Sequence, residues 1–106
     1  MSNLEVEIAG LREAGRKFLQ AADDVAASQA KISAEVDGRD SSVWGGDEPG
    51  GVFGDGYSKA HAEAMATLAD IKARLYAAAA GVGKSASRLE AQEDEIAARV
   101  ASEGGR

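Results

Sequence analysis

Six residues spaced by seven, His61, Leu68, Leu75, Val82, Leu89 and Ile96, leave this chain few folds to choose from. A seven-residue apolar repeat matches two turns of a slightly underwound α-helix and has no counterpart in the two-residue period of a strand. Ala64, Ile71, Ala78 and either Ser85 or Ala86 fill the intermediate positions, and Val100 extends the row. The spacing predicts a long helix from about Ser58 to about Ser102, with Asp55 or Ser58 as its cap. Gly81 and Gly83 interrupt good helix formers at a cost of about 1 kcal/mol each. They mark either a kink or a close approach by another helix. Glu103-Gly104-Gly105-Arg106 is expected to fray.

An earlier arm carries the same signature. Leu4, Ile8, Leu11, Gly15, Phe18, Ala22, Val25, Ile32 and Val36 follow alternating steps of four and three, with Gln29 at the one polar step. Glu5, Arg12, Glu13, Arg16, Lys17, Asp23, Asp24 and Lys31 occupy the remaining, solvated faces. This predicts a first helix over about residues 3–37, stopped at Asp37-Gly38, where glycine readily takes the left-handed conformation of a C-terminal cap. Between the arms, roughly residues 38–56 hold the only proline, the only tryptophan and a dense cluster of glycines. That composition predicts an elbow.

The reading is therefore all-α: one domain over 1–106, an antiparallel helix-turn-helix hairpin. Its predicted seam is Leu4, Ile8, Leu11, Phe18, Val25 and Ile32 against Leu68, Ile71, Leu75, Val82, Leu89 and Ile96. Both seams are diluted by alanine and glycine, which permit close approach but bury little apolar area, worth about 25 cal/mol per Å². A hairpin of this kind is marginal alone. Dimerisation into a four-helix bundle is the expected remedy.

Charge and composition exclude several function classes. The formal net charge of -6 would repel a nucleic-acid backbone and an anionic membrane surface. No stretch approaches the run of about 20 apolar residues that a membrane span requires. Cysteine is absent, which removes disulfides, a thiolate nucleophile and cysteine-ligated metals. The opening Met1-Ser2-Asn3-Leu4-Glu5-Val6-Glu7 has early acids and no apolar run, so no secretory signal peptide is expected there.

Possible chemistry is sparse. Gly81-Val82-Gly83-Lys84-Ser85 resembles the end of a phosphate-binding loop, but the pattern needs a glycine where Ala78 stands and a preceding strand where a helical alanine run stands. N–H groups inside a helix are already bonded and cannot cradle phosphate. His61 lacks the partners of a catalytic or metal-binding histidine and suits packing or capping. Asp47, Glu48 and Asp55 lack the alternating spacing of a calcium loop, so turn chemistry explains them better. Glu90, Glu93, Asp94 and Glu95 fan around a helix and read as a solvated face. No enzyme activity and no cofactor are expected.

The elbow carries the functional signal. It concentrates Trp44, Phe53 and Tyr57, three of the five aromatic residues of the chain. These rings either plug the open end of the hairpin or present a recognition surface. Trp44-Gly45-Gly46 is also a Trp-x-Gly motif between two helices in a chain of 106 residues. In that setting the chain resembles the WXG100 family, the small substrates and partners of type VII (ESAT-6-like) secretion systems. The longer turn, with Phe53 and Tyr57 following, is similar to actinobacterial members.

The resemblance implies a homodimer or heterodimer with a like helical hairpin, and export without a cleavable signal peptide. It also implies a chaperone-like role toward a larger secreted toxin or effector, with the secretion ATPase as a further partner. Partner or secretion recognition is expected at Trp44 and Gly46, with Phe53 and Tyr57 beside them. The family's export signal, Tyr-x-x-x-Asp/Glu, is matched neither at Tyr57, followed by His61, nor at Tyr76, followed by Ala80. Leu89 and Glu93 have the spacing without the tyrosine. The chain is therefore expected to be the signal-less member of a pair. The alternative is an intracellular helical adaptor, immunity or regulatory protein that is not itself exported.

Overall fold

The computed structural model describes residues 3–37 and 44–104, with the side chain of Asp37 outside that description. Two helices make up the chain: α1, Asn3–Asp37, and α2, Glu48–Gly104. The fold is all-α, a helical hairpin. Gly38, the expected cap of α1, lies outside the described residues. No helix among the described residues is long and apolar enough to cross a membrane.

α2 begins well before Tyr57, which corrects the elbow expected over 38–56. Neither Asp55 nor Ser58 caps it; both lie inside the helix. Asp47 is the cap: its Oδ1 accepts the Gly50 N–H at 2.8 Å, and its carbonyl accepts the Gly51 N–H at 2.9 Å. Glu48 follows in the first turn, where a negative charge meets the positive end of the helix dipole. Pro49 costs nothing there because first-turn N–H groups have no helical acceptor. At the other end the helix continues through Glu103 and Gly104, so the expected fraying does not start at Glu103.

Two compact units share these helices, Met1–Gln20 with Leu75–Arg106 and Ala21–Arg74. In the first, the beginning of α1 packs on the end of α2, so the helices run antiparallel. Ile8, Ala79 and Ala86 are buried, with Leu4, Leu11, Phe18, Leu75, Val82 and Leu89 half-buried around them. The close approach expected at Gly81 or Gly83 occurs instead at Gly15. A Cβ there would sit 3.3 Å from Val82 Cγ2, whereas nothing lies within 4 Å of one on Gly81 or Gly83. Arg12 donates to Glu90 Oε1 through Nε at 3.1 Å and a terminal nitrogen at 2.7 Å, closing one edge. Ile96 and Val100 continue the α2 row but are exposed.

In the second unit Ala22 is fully buried, and Val25, Gln29, Val36, His61, Met65 and Leu68 are half-buried. From His61 to Leu89 the seven-residue row lies at the seam. Beside it Met65, Lys72, Ala79, Ala86 and Glu93 are covered: Ala64 and Ile71, one residue short of this set, are exposed, whereas Ala78 is half-buried and, of the pair Ser85 or Ala86, Ala86 is the buried one. Steps of four and then three from His61 reach this set, and the aliphatic stem of Lys72 packs as an apolar group while its ammonium stays wet. Ile32, at 38 % exposure, and Ile71, at 41 %, are thus outside the closed seam.

Candidate functional site

The turn before α2 is built from glycines that each meet a different demand. Gly45 has φ of 93°, in the region that side chains resist, and it alone does so among the described residues. Gly50 is buried under the turn. A Cβ there would fall 2.5 Å from the Trp44 carbonyl oxygen and 2.6 Å from that of Gly45. Gly54, one turn on, would place a Cβ 2.8 Å from Trp44 Cδ1 and 3.2 Å from Nε1. The bare backbone of α2 is the surface on which the indole rests.

Trp44 also packs against the next two aromatic residues, both on α2. Its ring centroid lies 5.1 Å from that of Phe53 and 4.9 Å from that of Tyr57, tilted by 52° and 41°. Phe53 and Tyr57, one helical turn apart, stand 6.4 Å from each other. Such tilted pairs add about 0.5–1.5 kcal/mol beyond the area they bury. The clasp is therefore structural, yet it does not hide its members. Trp44 is half-buried, whereas Phe53 is 59 % exposed and its neighbour Val52 is 68 % exposed. The three rings pack on one another and on α2 while staying partly exposed.

Gly46 is placed differently from the expectation attached to it. It is exposed, its φ is not positive and nothing lies within 4 Å of a Cβ built there. Gly45, Gly50, Gly54 and Asp47 are the positions on which the turn depends. The Asp47-Glu48-Pro49 run is a readable helix start, and two glycines four apart in the first turns of that helix mark a flat face.

The remaining candidates hold no chemistry that the geometry brings together. Gly81–Ser85 is continuous helix within α2. Asp47 is engaged in capping, while Glu48 and Asp55 are exposed on α2, and His61 is half-buried at the seam. Among the described residues no three His, Asp or Glu side chains stand close enough to hold a metal ion. A shallow groove of about 230 Å³ in the first unit, lined by Leu11, Gly15, Leu19, Ala79 and Gly83 between Arg12 and Arg16, contains no acid–base pair. No family model, curated protein or solved structure matches the chain. The turn with its clasped tryptophan is the feature that function has to be argued from.

Proposed function

We propose that the chain is a small type VII secretion (ESAT-6-like) substrate, or a co-secreted, chaperone-like partner, that acts by binding other proteins and not by catalysis. The observation carrying this reading is Trp44 of the Trp-x-Gly motif, packed against both Phe53 and Tyr57 just before the second helix. The sparse core supports it as well, since among the described residues three of the four buried hydrophobic side chains are alanines and the fourth is Ile8. A like helical hairpin, in a homodimer or heterodimer, would cover the apolar surface left outside the seam. A larger toxin or effector and the secretion ATPase are the further partners. Export would take the type VII route, on a partner that supplies the tyrosine signal.

Trp44→Ala and Trp44→Phe in the full chain, co-expressed with the secretion locus, test the reading. Export of Trp44→Ala should fall at least about tenfold while far-UV circular dichroism keeps its helical signal. Trp44→Phe, which preserves ring packing, separates recognition of the indole from loss of the clasp. Unchanged export of both variants would sink the recognition role. Retention of the wild-type chain in the cell, alone and with its partner, would leave the intracellular adaptor, immunity or regulatory reading.

A further inference from the structure

α2 carries a second apolar row beside the one that closes the hairpin. Phe53, Tyr57, Ala60, Ala64 and Ile71 follow the same rhythm of four and three, with Thr67 at the intervening step, and every one of them is exposed. At 1.5 Å per residue the row runs for about 27 Å, the length of five turns of a partner helix. Its ends are large and its middle is alanine, the profile of a shallow helix-accepting surface. Trp44 holds the first two rings in place through the contacts described above.

In an antiparallel pair the positions just before one seam row on each helix share an edge. Ser28 and Glu35 of α1 therefore border the side that carries Ala64 and Ile71, with the exposed Ile32 between them. Glu63 borders the row on its outer side. Arg74 follows Ile71 in the row and is engaged by Asp70 at 2.9 Å, and Lys31 stands one turn before Glu35, so the rim carries three acids, Glu35, Glu63 and Asp70, against two cations. A second copy would bring the same acids on a chain of net charge -6. Complementarity favours a different chain of opposite charge.

We propose that the row from Phe53 to Ile71 is a docking stripe for one amphipathic helix of a partner protein whose apolar face is rimmed by lysine or arginine. This rests on the reading of the chain as a binding module but not on its export. A chain whose export ignored Trp44 would lose that reading and keep this one.

The probe is a fluorescently labelled, 18-residue helical peptide with leucine on one face and lysine on its flanks. A glutamate-flanked copy and a scrambled lysine peptide of equal composition serve as controls. Anisotropy titrations of the full-length protein should give the lysine-flanked peptide at least about tenfold tighter binding than either control. Ala64→Lys, inside the stripe, should weaken that binding at least about tenfold, and Ala66→Lys, on the opposite face with the same added charge, less than about twofold. Equal loss in the two variants, or equal binding of the scrambled or glutamate-flanked peptide, would overturn the proposal. So would a homodimer that Ala64→Lys dissociates, since it would put a second copy on the stripe. Both alanines are exposed helix positions, and matching circular dichroism of the variants keeps the comparison free of folding effects.

Discussion

In the unit of Met1–Gln20 and Leu75–Arg106, small residues let two helices close on each other. Gly15 faces Val82, and Ala79 and Ala86 are buried. In the unit Ala21–Arg74, Gly50 and Gly54 seat a single indole and the carbonyls of its turn. The first arrangement hides small side chains and shows charges, as with Arg12 and Glu90. The second hides backbone and leaves Val52, Phe53, Tyr57 and Ile71 in water. Apolar side chains stand in water in both units, Val6, Leu19, Tyr76, Ile96 and Val100 in the first, so the difference lies in what the small residues do: they close a helix seam in one unit and seat a turn in the other.

The largest expected effect breaks the second arrangement at its base. Gly50→Ala forces a methyl group into two backbone carbonyls that have no side-chain freedom to yield, and should cost about 3 kcal/mol. Gly51→Ala, one residue on, meets nothing within 4 Å and should instead stabilise by up to about 1 kcal/mol through helix propensity. Thermal melts by circular dichroism and the emission of the sole tryptophan separate the two. If both variants melted alike, the turn would not be seated on Gly50.

A smaller effect tests the first unit. Ala86→Leu inserts a branched side chain where alanine is fully buried and should cost about 2 kcal/mol through overpacking. Because Trp44 belongs to the other unit, its emission in the native variant should remain that of the wild type. A shifted emission before melting would show that the two regions do not respond separately, and the contrast between them would fail.

What could be read in advance follows the same division. The seven-residue row was legible because Leu68, Leu75, Val82 and Leu89 are strongly apolar and evenly spaced, so two helices and their antiparallel pairing follow. The intermediate row was legible only in its later part, where Ala78 is half-buried and Ala86 buried. Ile71 is a better seam residue than Lys72 by hydrophobicity, yet the register covers the lysine stem and leaves the isoleucine outside. The start of α2 was hidden because Gly50, Gly51, Gly54 and Gly56 lower helix propensity over its first turns. The capping signal of Asp47-Glu48-Pro49 outweighs them once Trp44 packs on the bare face. At the site, the aromatic residues could be picked out from composition alone. The need for Gly50 and Gly54 could not, since it arises from the carbonyls of Trp44 and Gly45 for the first and from the Trp44 ring for the second. Gly46 shows the converse, a motif position whose local structure makes no demand for glycine.

The smallest effect sharpens the account of the charged exterior of the first unit. Arg16 donates to Glu13 Oε2 through Nε at 3.1 Å and through a terminal nitrogen. That hydrogen bond, and then the charge of the same guanidinium, holds the Glu13 carboxyl below its ordinary value. A carboxyl depressed in the folded state stabilises the fold above its unfolded value, and the contribution is lost as pH falls through the folded value. Glu13→Gln should therefore melt slightly below the wild type at about pH 7, and the gap should close once acid protonates the wild-type carboxyl. Both groups are exposed, so salt should narrow the same gap at neutral pH by screening the pair. A gap that ignored both acid and salt would assign the loss to helix propensity at position 13 and leave the pair no part in the first unit's stability.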